Sequence, residues 1–302
     1  MEALLDAALR LAAPLLLAAL GELLVERAGV INIGIEGMML CGAFAAFAAS
    51  VASGQPAVGV LAGVAAGCGM GVVFVVFAVL RRADQIVVGT AVNLLALGAT
   101  GLALRAMFPE TVPTAPTVGE LRVPGLAELP LLGRSLFQQT PFTYAALALA
   151  PCCAFFLART RAGLRLRAVG EAARAADAEG VPVERVRSIA VLAGAGFAGL
   201  AGAALSLGQS NSFAEGMTAG RGFIALAIVI FGRWSASGVV LAALFFGATT
   251  ALQFRLQARG LDVPYPMALM LPYVLTLALL AVASGRARAP GDLGRPYRRE
   301  SK

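Results

Sequence analysis

Stretches without a charged residue divide this chain. Gly37 to Leu80 is uncharged over 44 residues and breaks only at Gly54-Gln55-Pro56, where glycine and proline oppose a continuous helix. Gln85 to Leu104, Ser135 to Ala158, Ser188 to Ala214, Trp234 to Phe254 and Val263 to Gly285 are further uncharged runs. A bilayer core about 30 Å thick takes roughly 20 apolar residues at 1.5 Å rise each. The first run therefore holds two spans and each of the others one. Leu11 to Gly21 and Gly222 to Gly232 are shorter, 11 residues each. With both counted the chain crosses nine times, and a partial or re-entrant helix is the alternative for Leu11 to Gly21.

Composition supports this pattern. Of 302 residues 59% are hydrophobic and 14% charged, with a mean hydropathy of +0.82, against about 25% charged in soluble domains. The expected fold is an all-α integral membrane protein, a polytopic bundle of about eight to ten transmembrane helices in one domain over residues 1–302. Met1 to Gly21 carries Glu2 and Asp6 and lacks a basic leader and a cleavage site, so it reads as retained. Cys41, Cys68, Cys152 and Cys153 fall inside spans without metal-ligand spacing and read as packing residues. Histidine is absent, which removes imidazole metal sites and histidine proton relays. No cofactor is expected.

The net charge of +7 reads as asymmetry across a membrane and not as nucleic-acid binding. With the arginine-rich segments 159–187 and 286–302 placed in the cytoplasm, together with Arg27, Arg81, Arg82 and Arg233, 17 basic residues lie inside and seven outside. The C-terminus is then cytoplasmic and the N-terminus outside. Ala106 to Arg134, with five prolines, reads as an irregular outer cap. Asn32-Ile-Gly-Ile-Glu36-Gly37-Met38 is echoed 179 positions later by Asn211-Ser-Phe-Ala-Glu215-Gly216-Met217. In this topology the two copies lie on opposite sides, as inverted repeats would place them.

Charged and amide side chains within membrane segments usually face a cavity or each other. Glu22, Glu26, Arg27, Asn32 and Glu36 interrupt the apolar stretch Gly21 to Leu40. Glu22 with Glu26 or Glu36, and Arg27, could form an internal ion pair. Gly29, Gly34 and Gly37 around Asn32 suit an opened helix whose backbone lines a polar path, with Asn32 and Glu36 on it. Arg221 sits in a glycine-flanked turn at the outer mouth, where pairing with Glu215 and contact with a solute are both open. Asn93, alone among aliphatic residues, is either a pathway residue or an interhelical hydrogen bonder.

Gly163 to Ser188 is a long charged stretch in an otherwise economical chain. Leu166, Val169, Ala173 and Ala176 recur at helical spacing, and Gly180 and Pro182 end the pattern. A helix lying on membrane lipid would fit the basic flanks. Docking to a cytoplasmic partner fits the mixture of acids, arginines and small alanines better.

ERAGVINIGIEGMML from Glu26 to Leu40, followed by Gly42-Ala43-Phe44, resembles permeases of the branched-chain amino acid, sugar and nucleoside class of ABC importers. It is most similar to the nucleoside type, which works with a basic membrane lipoprotein as its binding component. RGFIALAIVIFGRW from Arg221 to Trp234, with Gly238 after it, resembles that family's second signature, and GLRLRAVGE from Gly163 to Glu171 its cytoplasmic coupling loop. The resemblance implies a second related permease completing the pore and an extracytoplasmic substrate-binding lipoprotein. It also implies a cytoplasmic ATP-binding subunit docked through Leu166, Arg167, Val169, Gly170, Glu171, Ala176 and Gly180. The setting would be a bacterial cytoplasmic membrane and the cargo a nucleoside or related small polar solute. The chain has no G-x-x-x-x-G-K-[ST] loop, so ATP must be hydrolysed elsewhere. An ion-gradient-driven secondary transporter is the alternative, and an intramembrane enzyme lacks a convergent acid, base or metal cluster.

Overall fold

A computed structural model of the protein describes residues 2–122, 124–125, 128, 133–258 and 289–298. Among these, seven helices are long and apolar enough to cross a membrane: Glu2–Arg27, Ile35–Ser53, Pro56–Leu80, Gln85–Met107, Pro141–Arg159, Val183–Ser210 and Ala236–Ala258. In chain order the helices are α1 (Glu2–Arg27), α2 (Ile35–Ser53), α3 (Pro56–Phe74), α4 (Gln85–Met107), α5 (Gly133–Phe137), α6 (Pro141–Arg159), α7 (Arg161–Glu171), α8 (Ala173–Ala178), α9 (Val183–Leu205), α10 (Arg221–Phe231) and α11 (Ala236–Ala258). Val75–Leu80 and Ser206–Ser210 continue α3 and α9 as π-helical turns. Two-residue strands β1 (Leu121–Arg122) and β2 (Gln138–Gln139) pair antiparallel. This is an all-α polytopic membrane protein.

The N-terminal run is long and apolar enough to cross, as counted. The alternative of a partial or re-entrant helix falls, because Leu11 to Gly21 lies within the 26-residue α1. Leucine and alanine favour helix throughout, and the charges at its two ends are accommodated in place. Arg10 Nε lies 3.0 Å from Asp6 one turn earlier, and its guanidinium also bonds Glu120. Glu22 accepts the Asn32 N–H at 3.1 Å. α1 is the most buried span, packed on α9 and α11.

Helices α2, α3 and α9 approach through small residues. In α3 the buried positions Gly59, Gly63, Gly67 and Gly71 repeat every fourth residue, the spacing that lets membrane helices meet backbone to backbone. A Cβ on Gly199 would sit 2.3 Å from the Gly63 carbonyl oxygen, and one on Gly42 2.5 Å from the Gly199 Cα.

Two runs differ from expectation. Ser135 to Thr140 is not part of a span. Thr140 caps α6 and Pro141 opens it, because proline lacks an N–H that a first helical turn does not use. Gly222 to Gly232 does not cross by itself: α10, at 11 residues, is about 16 Å long. The described part of 106–134 is largely irregular, as read, and its Ala115 N–H donates to the Asn211 carbonyl at 2.9 Å. Val263 to Gly285 lies outside the described residues.

Asp6, Arg10, Glu120 and Gln139 gather at one end of the bundle. At the other, Arg27 meets Glu171, and Arg82 bonds Glu184 at 2.9 Å. Residues 289–298, read only as part of a basic tail, lie at this second end against α7 and α8.

Candidate permease gate and coupling elbow

After α1 the chain turns at Gly29, whose φ of +84° is open to glycine and strained for other residues. It then runs unwound to Gly34 before α2 begins. Freed backbone groups in a membrane interior must find partners, and α4 supplies them. Gln85 Oε1 accepts the Ile31 N–H at 2.8 Å. Asn93 donates Nδ2 to the Ile33 carbonyl at 3.0 Å and accepts the Gly37 N–H on Oδ1 at 2.8 Å. Asn93 is thus an interhelical clamp on the entry of α2. Asn32 is fully buried, and its Oδ1 and the Glu22 Oε2 face no donor among the described residues.

Glu36, in the first turn of α2, reaches a second helix start. Its carboxylate accepts the Gly220 N–H at 2.8 Å and the Gly222 N–H at 2.6 Å. An anion is favoured there by both the unpaired N–H groups and the helix dipole. A Cβ on Gly222 would lie 2.6 Å from the Glu36 Cα, so the two starts touch. Arg221 lies between those two donors and gives Nη1 to the Met217 carbonyl at 2.8 Å. It lines a cavity of about 240 Å³ with Gln209, Ser210, Ser212, Phe213 and Met217. The polar run Gln209 to Ser212 was the sequence signal for this cavity, and it lay hidden within an otherwise apolar span.

The structure brings Asn32, Glu36, Asn93 and Arg221 around these helix starts and places Glu215 apart. Glu215 pairs with Arg105, Nε to Oε1 at 3.0 Å and Nη2 to Oε2 at 3.3 Å, whereas pairing with Arg221 was one of the two alternatives open to it. The Arg105 guanidinium holds the Glu215 carboxyl below its ordinary range. The two Asn-x-x-x-Glu-Gly-Met copies also differ locally. The first leads directly into α2, whereas the second forms turns and its helix starts at Arg221.

In place of the ion pair that Glu22, Glu26 or Glu36 could form with Arg27, Glu26 and Arg27 bond Trp234 and Arg27 meets α7. The Trp234 Nε1–H donates to Glu26, while Arg27 Nε donates to the Trp234 carbonyl at 2.8 Å and Arg27 Nη1 lies 3.8 Å from Glu171. Trp234 therefore ties the α10–α11 turn to the end of α1.

The charged stretch is an elbow of two helices, α7 and α8, broken at Ala172, where one helix was expected. Gly180, at φ +81°, and Pro182 end it as read. Leu166, Val169, Gly170 and Ala176 are buried within this chain, so they pack the elbow and offer no docking surface. A Cβ on Gly170 would stand 2.2 Å from the Arg27 carbonyl oxygen. Arg167 is half-buried, Glu171 and Gly180 are exposed, and Leu164, Ala168, Ala172 and Ala175 form an exposed apolar strip. The tail holds the inner side of this elbow. The Asp292 N–H donates to the Gly170 carbonyl at 2.9 Å and the Gly294 N–H to the Gly29 carbonyl at 3.1 Å. Arg187 donates to the carbonyls of Ala28 and Arg295 at 3.2 and 2.7 Å. No motif announced Asp292 or Arg187, because their partners are backbone groups distant in sequence.

The family described as branched-chain amino acid transport system, permease component, matches residues 4–280. The chain belongs to this permease family. The guanosine ABC transporter permease NupQ of Bacillus subtilis is 39% identical, over 95% of this chain and 93% of its own. The nucleoside ABC transporter permease NupC of Lactococcus lactis subsp. cremoris is 36% identical, over 94% and 93%. A protein of Haloferax volcanii provisionally described as a glucose ABC transporter permease, TsgC13, is 38% identical, over 98% of both chains. No solved structure matches the chain. The permease is accordingly a multi-pass transport subunit of an ATP-driven importer, not an enzyme and not an ion-gradient-driven transporter. Its family membership implies an ATP-binding partner.

Proposed function

We propose that this permease imports a nucleoside. A second homologous permease completes its pore, an extracytoplasmic lipoprotein delivers the solute, and the ATP-binding subunit docks on the elbow from the cytoplasm of a bacterial cell. Two of the three relatives described above carry nucleoside or guanosine names. The cavity beside Arg221 combines hydroxyl and amide groups with the Phe213 ring, a lining suited to a sugar hydroxyl edge joined to a flat base.

The observation that carries the reading is the meeting of two helix starts at Glu36. Interrupted helices in a transporter mark the place where a polar solute passes, since unwound backbone is tolerated in a bilayer only where protein or a path satisfies it. Asn32, Glu36, Asn93 and Arg221 border this path, with the Glu215–Arg105 pair at its outer rim. A buried acceptor without a donor costs about 1–3 kcal/mol, and Asn32 Oδ1 and Glu22 Oε2 carry that cost beside the break. Force enters through the exposed strip Leu164, Ala168, Ala172 and Ala175. Arg27, Gly29 and the tail connect the elbow to the unwound segment, so a rigid shift of α7 and α8 biases the gate between two arrangements.

The test is reconstitution in liposomes with labelled guanosine. Uptake is expected only with ATP, the ATP-binding subunit, the second permease and the lipoprotein together, and excess unlabelled glucose leaves it unchanged. Gradient-driven uptake by this chain alone overturns the importer reading, and competition by glucose overturns the nucleoside.

A further inference from the structure

A groove of about 300 Å³ lies between α6, α7 and the first turns of α9. Pro182, Val186, Ile189 and Ala193 line one side of it at intervals of three and four residues. They therefore form a stripe along the α9 axis about 16 Å long. Phe156 faces this stripe from α6, and Leu24 and Leu166 are buried beneath. Ile189 is 60% exposed, so the groove opens on the outer flank of the bundle.

Arg165 and Arg185 also line the groove, and both are exposed. Long cationic side chains lay their stems along apolar surface and keep the charge in a polar layer. Neither guanidinium has an acidic partner among the described residues, whereas Arg82 nearby is engaged by Glu184. The groove is thus apolar along the span and doubly cationic at the level where α6 ends and α9 begins.

We propose that this groove binds an anionic diacyl phospholipid, one acyl chain lying along the α9 stripe and the phosphate between Arg165 and Arg185. Charge complementarity selects the occupant. A zwitterionic lipid would fill the apolar part equally and leave two cations uncompensated, while basic pockets at the ends of membrane helices favour anionic headgroups. Only the choice of leaflet rests on the orientation proposed above.

Native mass spectrometry of the full chain in detergent, offered equal phosphatidylglycerol and phosphatidylcholine, tests the site without any transport assay. Its failure therefore leaves the importer reading standing. Phosphatidylglycerol is expected to be retained about tenfold over phosphatidylcholine. Arg165→Gln with Arg185→Gln removes that preference, and Ala193→Phe, at an exposed position, lowers retention of both lipids by filling the groove. The single arginine variants give the same reading in reduced form if the double variant does not fold. Equal retention of the two lipids by the unaltered chain overturns the headgroup site. Undiminished binding in Ala193→Phe overturns the groove. Stabilisation by inorganic phosphate alone, equal to that by the lipid, marks a free-anion site and overturns the proposal.

Discussion

The backbone N–H of Ala173 donates to Asp292 Oδ2 at 2.7 Å across 119 positions of sequence. This carboxylate fixes the start of α8 just after the break at Ala172, and its own backbone holds the end of α7. An N-terminal cap of this kind contributes about 1 kcal/mol. Asp292→Ala is expected to leave the complex assembled but to lower the solute moved per ATP hydrolysed, while Asp292→Asn retains an acceptor and transports normally. A full transport ratio in the alanine variant would show that the tail does not stiffen the elbow.

The two faces of the elbow separate by substitution. Val169 is fully buried, so Val169→Asp forces an unpaired charge into the interior and the protein should fail to accumulate in membranes. Leu164 is 59% exposed. Leu164→Asp should leave the permease in the membrane and abolish capture of the ATP-binding subunit. Normal capture by that variant removes Leu164 from the docking face.

Glu36 joins α2 to α10 through two charge-assisted bonds. Glu36→Gln keeps one acceptor oxygen and Glu36→Ala none, so thermal stability in detergent should fall in that order, by about 2–3 kcal/mol in the alanine variant. Equal melting of all three proteins would remove the junction from the gate.

Glycine at Gly170 is required by space, and at Gly98 it is not. Gly170→Ala presses a Cβ onto the Arg27 carbonyl and is expected to cost about 1–3 kcal/mol. Nothing lies within 4 Å of a Cβ at Gly98, in α4, so Gly98→Ala should be neutral or stabilise by up to about 1 kcal/mol. Thermal melts of the two variants check the contrast.

Acid should loosen the outer rim late. The Glu215 carboxyl is held below its ordinary value of 4.5 by Arg105. The pairing is therefore complete above that value and lost only as pH falls through the depressed one. Hydrogen-exchange protection at residues 211–220, corrected for the intrinsic pH dependence of amide exchange, should stay flat while pH falls to the ordinary carboxylate value of 4.5 and decline only below it, by a modest amount because the pair is exposed. A loss of protection already complete above that value would place its cause elsewhere.

Much of this architecture was legible along the chain. Span lengths are a local property fixed by bilayer thickness, so Gly37 to Leu80 announced α2 and α3, and Gly54-Gln55-Pro56 the turn between them. The break between α1 and α2 was visible as Gly29, Asn32 and Gly34 within an apolar stretch. Gly222 to Gly232 was visible as a short apolar run, yet it was counted as a crossing that the 11-residue α10 does not make by itself. The run Leu11 to Gly21 was counted as a crossing, but its charged flanks hid the full length of α1, and their pairing with Glu120 and with the Asn32 backbone is made only in three dimensions.

Sequence by itself determined the solvent, most of the long helices and a helical charged stretch, because each follows from apolar length, glycine and proline positions, and charge; the break of that stretch into an elbow at Ala172 was decided by the tertiary structure. Tertiary structure decided which groups meet: Glu36 with the start of α10, Arg27 with Glu171, Glu215 with Arg105, and Asp292 with Ala173. It also decided that Val169 faces inward and Leu164 outward. Lipid and protein interior are nearly equally apolar, so hydrophobicity cannot tell a span's packed face from its exposed one. Bonds to backbone groups far along the chain leave no mark in the side chains that accept them.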